Sequence, residues 1–262
     1  MGKLLVPDEL WERIEPLLPV HVPKPWGGRP PVPNRVALTG ILFVLRTGIP
    51  WEDLPQELGC SGMTCWRRLR DWQQAGVWDR LHRLLLDELG RADKIAWDRA
   101  ALDASMAPAK KGGPETGPNP TDRGRPGTKY HLLVDQNGIP LSVEMTAANL
   151  HDGQMLVPML DAVPPIRRPR GRPRRRPKKL HADKAYDDRA LRIASRVRGI
   201  TPRIARKGVE SSARLGRYRW VVERTFAWIH RFRRLVVRYE RRADIHRGFL
   251  KLAVCLICLY YI

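Results

Sequence analysis

"GTKYHLLVDQNGIPLSVEMTAAN", residues 127–149, sets two apolar runs rich in β-formers on either side of Asn137-Gly138. Asn-Gly between two such runs is a strong hairpin signal, because a tight primed turn needs residues that accept positive φ. Upstream, "IAWDRAALDASMAP" (95–108) has the same character, so 97–147 reads as three strands, the last two a hairpin. "KKGGPETGPNPTDRGRPG" (110–127) lies between the first two strands and reads as a Gly/Pro loop, too polar and too broken to pack. Downstream the pattern predicts a helix over 152–163, a short buried strand running into a turn in "KLHADKAYDD" (179–188), and a helix in "DRALRIASRVRG" (188–199). A strand in "ITPRIAR" (200–206) and one long helix over 217–239 complete the order. Such a βββαβαβα sequence is an α/β mixed sheet flanked by helices.

The first third is different. "RVALTGILFVLRT" (35–47) has apolar residues at helical spacing and stops at Gly48, and "WEDLPQELG" (51–59) reads as a short second helix. "CSG" (60–62) turns the chain into a third helix ending at Gly76, and a fourth covers 77–90. Residues 1–92 thus form a small all-α domain with the outline of a helix-turn-helix, and 93–262 form the α/β domain. In that outline the third helix presents Thr64, Arg67 and Arg68 to bases or phosphates, while Trp66, Leu69 and Trp72 pack inward. A plain helical bundle with arginines on an exposed face has the same pattern.

Charge separates the two parts. The chain carries 48 Lys+Arg against 27 Asp+Glu, a formal net charge of +21. Residues 1–100 hold 14 cations against 13 acids, and the remainder 34 against 14. A clustered excess of that size points to a polyanion, since cations gain most by displacing the counterions of nucleic acid. "RRPRGRPRRRPKK" (167–179) alone has nine cations in thirteen residues, and its prolines and like charges predict an extended, solvated segment. The longest apolar tract, "LAVCLICLYYI" (252–262), has 11 residues, short of the ~20 of a membrane helix, and reads as a core or docking helix. With no signal peptide before Pro7, a cytoplasmic, nucleoid-associated protein is expected. Cys255 and Cys258 sit inside the apolar tract, where a free Cys behaves as a small hydrophobe rather than a zinc ligand. No Gly-rich phosphate loop occurs, so no nucleotide is expected as a partner.

In so basic a domain, acids held rigidly by a strand or helix stand out. Asp103 lies on the first strand opposite in face to Leu102 and Ala104, and Asp183 ends the fourth strand, sharing a face with His181. Glu223 is the one acid in 217–239, among seven arginines, and shares its helix face with Arg219, Phe226, Ala227 and His230. Singly, each could cap a turn or neutralise an arginine. Together, two strand-borne aspartates and a helix-borne glutamate suit a pair of hard divalent ions ~3.5–4 Å apart, as phosphoryl transfer uses.

Long stretches in the right order resemble a known family: "WEDLP" (51–55), "RLRDWQQAGVW" (68–78), "DAS" (103–105), "AKKGG" (109–113), "TGPNPTDRGRPGTKYHLLVD" (116–135), "NGIPLSV" (137–143), "ANLHD" (148–152), "HADKAYD" (181–187) and "RWVVERTFAWIHRFRRL" (219–235). The chain resembles the DDE transposases of bacterial insertion sequences, of the IS-five group, over nearly its whole length. The resemblance implies a ribonuclease-H-like catalytic domain with the first and fourth strands adjacent. It also implies Asp103, Asp183 and Glu223 as the catalytic, metal-binding triad, with Mg²⁺ or Mn²⁺, two ions, as cofactor. Arg219 matches the arginine of the family's signature around the last acid. Gly216 stands where a tyrosine is common and His230 where a base is expected, so Arg219 and His230 are implied as DNA contacts. Lys184, after the second aspartate, is a further phosphate contact, and Asp152 is assigned to ordering the start of a helix. The implied reaction is cleavage at the element ends by a metal-activated water, then attack of the freed 3′-hydroxyl on target DNA. Double-stranded DNA and a second copy of the chain, joined as a homodimer on that DNA, are the implied partners. A non-catalytic DNA-binding repressor or remnant is opposed by the three retained carboxylates. A metal-dependent nuclease without joining shares the same acids.

Overall fold

The computed structural model describes residues 5–20, 30–206 and 212–262, with side chains in the last span from residue 218 onward. Its centre is a mixed sheet of β1 (Ala100–Pro108), β2 (Gly117–Pro118), β3 (Pro126–Asp135), β4 (Pro140–Ala147), β5 (Lys179–Ala182) and β6 (Thr201–Ile204). β1, β3 and β4 are antiparallel neighbours, β3–β4 being the hairpin turned at Asn137-Gly138, where Gly138 has φ +92°. β5 joins the other edge of β1 in parallel and β6 pairs β5 in parallel. This is the ribonuclease-H-like mixed sheet that the resemblance implies.

Side-chain alternation assigns the two faces. Ala101, Asp103, Tyr130, Leu132, His181 and Asp183 point to one side, covered by α7 (Ser212–Ile229), α8 (Arg233–Val236) and α9 (Ala243–Tyr260). Leu102, Leu133, Leu180 and Ala182 point to the other, under α5 (Leu156–Ala162) and α6 (Arg189–Val197). With helices on both faces, nearly every residue of β3 is buried, the polar Thr128, Lys129, His131 and Asp135 included.

Upstream lie α1 (Asp8–Ile14), α2 (Asn34–Thr47), α3 (Gly62–Gln74) and α4 (Val77–Arg91). Ala75 and Gly76, the latter with φ +68°, turn the chain between α3 and α4, and Arg80 donates across the break to the Ala75 carbonyl at 2.5 Å. α3 and α4 both pack on α9, so the tract of Cys255 and Cys258 is wedged between the helical region and the sheet, and one apolar core runs through both. Among the described residues no helix is long and apolar enough to cross a membrane.

Four expectations change. The helix expected over 51–59 is two 3-10 turns, Trp51–Asp53 and Gln56–Leu58, each preceded by a proline at Pro50 and Pro55. The short turn before α3 therefore has no α-helix in front of it, and Trp66 is half-buried, flanked by the guanidinium groups of Arg70 (5.5 Å) and Arg242 (5.6 Å). The helix expected over 217–239 ends at Ile229, because Arg234 and Arg238 turn inward. Arg234 donates to Glu240 and to the Gly48 and Ile49 carbonyls behind α2, and Arg238 donates to the Pro114 and Glu115 carbonyls. Residues 110–127, expected not to pack, include β2, bury Asn119 and supply those two carbonyls. In 167–179, an Ile166–Arg174 bridge closes a loop, Arg175 donates to the Val163 and Asp161 carbonyls, and Arg174 lies 5.3 Å from the Trp97 ring. The cationic tip is exposed, but its base is docked rather than extended.

Arg234 and Glu240 have side chains 7% and 3% exposed. Removing one partner of such a pair leaves a buried charge, so Arg234→Ala is expected to cost about 3–5 kcal/mol in urea unfolding, and a loss under about 1 kcal/mol contradicts the role given to this pair. Burial also pushes the His131 imidazole down to about 4. The unfolded chain then takes up the extra proton first, so this contribution to stability is complete above about pH 6.5 and is lost as pH falls toward 4. Over that interval the melting temperature of His131→Gln is expected to fall less than that of the wild type; parallel curves contradict it.

Candidate active site

Parallel pairing of Ala100 with Leu180 and Ala101 with His181 sets β1 and β5 in register, and two residues further that register sets Asp103 opposite Asp183. Both carboxylates lie on the face covered by α7. Asp103 Oδ1 accepts from the Ala104 N–H at 2.9 Å, and Oδ2 accepts from Arg219 Nη2 at 2.7 Å. Asp183 Oδ1 accepts from the Ala185 N–H at 2.8 Å, which holds it at the start of the turn Lys184–Tyr186. Burial raises the Asp103 pKa above the ordinary carboxylate value and the like charge of Asp183 adds to the rise, while Arg219 and the Ala104 N–H oppose it.

Arg219 is the hub. Burial works against its charge, yet Asp103, Asp183 and Glu223 together raise its pKa, so all three acids act on one guanidinium. Glu223 stands one helical turn beyond on α7 and is exposed. No group of three His, Cys, Asp or Glu close enough to hold a metal occurs among the described residues. The two facing aspartates offer the hard oxygen donors a divalent cation prefers. Arg219 stands in for such a cation at Asp103, and Glu223 stands off from the pair.

The other candidates are dispersed. Lys184 directly follows Asp183 in its turn. His230 lies just past the end of α7, its ring stacked on Phe226 at 6.3 Å, and burial lowers its pKa. Seven residues of helix, about 10 Å, separate it from Glu223. Thr64, Arg67 and Arg68 are on α3; Thr64 bonds the N-capping Ser61 side chain at 3.0 Å, Arg67 is exposed and Arg68 half-exposed. Asp152 does not order its helix start: it pairs with buried Lys129 at 2.6 Å, and His151 Nδ1 caps instead, accepting from the Gly153 N–H. Two further residues belong to this neighbourhood: Tyr186, which matches the family pattern without an assigned role, and Lys129, which sequence reading missed. Tyr186 is buried beneath the acids, its hydroxyl without a hydrogen-bond partner, and burial with the charges of Asp152, Asp103 and Asp183 drives its pKa up. Lys129 is buried on β3. Tyr186 follows Asp183 by three residues, a spacing visible in the sequence, whereas nothing in an apolar strand marks Lys129 as an ion-pair partner.

Two family models match the chain: "Transposase DDE domain" over residues 98–258 and "Putative transposase of IS4/5 family" over 6–82. The chain belongs to the DDE transposases of insertion sequences. It is 57% identical over 147 residues to the "Putative transposase for insertion sequence element IS402" of Burkholderia cepacia, which covers 56% of this chain and 70% of that protein. It is 60% identical over 123 residues to an uncharacterised 16.2 kDa protein of the same element and organism, covering 46% and 84%. A solved structure, "Mos1 transposase paired-end complex with left transposon end", aligns over 97% of this transposase and 85% of that chain, at 13% identity and a TM-score of 0.31. The protein is thus a DNA transposase of an insertion sequence.

Arg219 and Asp103 are each 16% exposed at the side chain. Arg219→Ala is therefore expected to destabilise the transposase by about 2–4 kcal/mol, since it leaves Asp103 buried beside Asp183 without a counter-charge. Adding Asp103→Asn to that variant is expected to recover most of the loss in urea unfolding; additive losses contradict the pairing.

Proposed function

We propose that Asp103, Asp183 and Glu223 are the catalytic carboxylates with which this transposase cuts DNA at the ends of its element and joins the freed 3′-hydroxyl to target DNA. The observation that supports this most directly is the in-register placement of Asp103 and Asp183 on parallel strands, with Arg219 feeling all three acids. Divalent ions, Mg²⁺ or Mn²⁺, bound by these oxygens would activate the attacking oxygen and neutralise charge developing at phosphorus.

The chain's own groups have assigned parts. Asp103 sits on β1 and Asp183 caps the turn directly after β5, so their separation is set by the strand pairing two residues before them. Arg219 opposes the rise that burial imposes on the Asp103 pKa, and its guanidinium is the group a cation must displace or share. Glu223 is carried on a helix one turn from Arg219, where a change of rotamer brings a third oxygen donor to the pair. Lys184 and the exposed arginines of 167–179 meet phosphates of the same duplex, and Thr64, Arg67 and Arg68 of α3 read or grip the element end. Two ends must be brought together, and a homodimer on the DNA supplies two such sites.

Asp103→Ala, Asp183→Ala and Glu223→Ala are each expected to abolish cleavage and transfer of a pre-cut end in Mg²⁺ while keeping most of the affinity for end DNA. Wild-type cleavage by any one variant removes that residue from the triad. Cleavage of uncut ends by the wild type without joining of pre-cut ends would leave a nuclease instead.

A further inference from the structure

The face that carries the acids is patterned along its length. The β1–β5 and β5–β6 registers align residues in rows across three strands: Arg99 with Lys179, then Ala101 with His181 and Arg203, then Asp103 with Asp183. Cations occupy the end where β1, β5 and β6 begin, and acids the end where they finish. At the cationic end Arg99, Lys179, His181, Arg203 and Tyr218 line a cavity of about 350 Å³. The Arg99 guanidinium lies 4.7 Å from the Tyr218 ring, and the His181 ring is 5.0 Å from it, so the aromatic ring props one residue of each cationic row in place. Asp98, on the rim, is taken by Lys178 at 2.7 Å. Among the described residues no carboxylate lies within ion-pairing distance of Arg99, Lys179 or Arg203, and Arg99 Nε is buried without a hydrogen-bond partner. Asp98 also lines the cavity and its charge acts on Lys179 as well as Lys178, but three converging cations against one acid, with an unmatched Arg99 donor, suit a phosphate oxygen.

We infer that Arg99, Lys179, His181 and Arg203 form a second phosphate site, which holds one internucleotide phosphate of the DNA strand that is cut at Asp103 and Asp183. The inference rests on the reading of those acids as the catalytic site. Two residues along a strand span about 6.6 Å, so His181 and Asp183 are spaced by about two 3.4 Å axial rises of a DNA strand. The phosphate held here is therefore one or two nucleotides from the scissile one. Its role is to set which phosphodiester faces the acids. The basic loop, meeting phosphates by diffuse attraction, has no such register.

The test uses the full chain and duplexes of its element end, each carrying one uncharged methylphosphonate at a successive position of the cut strand, with the cut mapped by product length. Wild-type affinity is expected to fall about tenfold for a methylphosphonate one or two nucleotides from the cut, and far less at its neighbours. Arg99→Gln/Arg203→Gln is expected to bind unmodified DNA about tenfold more weakly and to be indifferent to that same methylphosphonate, while Arg170→Gln in the basic loop keeps the wild-type profile. A wild-type profile with no such position, or a double variant as sensitive as the wild type, overturns the inference. The wild-type profile needs no variant, and Arg203→Gln alone, at an exposed position of β6, serves if the double variant fails to fold. Asp103→Asn separates the two readings. It should lose cleavage and keep the interference profile, whereas cleavage retained by Asp103→Asn defeats the acid assignment without altering what the profile says of the pocket.

Discussion

Two carboxylates facing each other across parallel strands form the constraint around which this fold is arranged. Backbone pairing of β1 with β5, which ends two residues before Asp103 and Asp183, holds the two carboxylates near each other, and the helices above them exclude much of the water that would screen their repulsion. Like charges so placed must bind protons or a cation. The chain meets that demand with Arg219, whose position on α7 fixes how the helix lies across the sheet and carries Glu223 to the mouth of the site.

A second polar network ties the helical region to the sheet. Tyr130 on β3 meets His246 of α9 at 2.6 Å, His246 meets Glu240 at 3.1 Å, and Glu240 pairs with Arg234, which reaches the carbonyls behind α2. Every member of this chain of contacts is buried. Buried ion pairs contribute little net stability compared with an apolar core, but a mismatched arrangement strands a charge, so such a network selects one packing over its neighbours. Together with α9 wedged beneath α3 and α4, it makes the described N-terminal helices share a core with the sheet that carries the acids. α3 and the paired acids therefore lie on surfaces that cannot drift far apart.

Much of this was legible beforehand wherever a local rule governed the outcome. Asn137-Gly138 between apolar runs needs only the chemistry of a tight turn, Gly48 and Gly76 stop helices through their own φ, and period-2 alternation placed Asp103 and Asp183 on defined faces. Two of the departures share one cause. Residues 230–239 continue a helical pattern, yet the chain leaves the helix because Arg234 and Arg238 find carbonyls more than a hundred residues away in sequence. The 110–127 loop packs for the reciprocal reason, its carbonyls receiving the Arg238 guanidinium.

The sequence by itself determined the strand and helix order, the charge asymmetry, and which acids are borne on rigid elements, because periodicity, turn chemistry and composition act over a few residues. Only the tertiary structure decided that Asp103 and Asp183 face each other with Arg219 between strand and helix, that Asp152 serves Lys129 rather than a helix end, and that Arg99, Lys179 and Arg203 meet in one cavity. Register between distant strands and the choice of partner for a buried charge depend on what the whole chain brings together, and no local pattern encodes them.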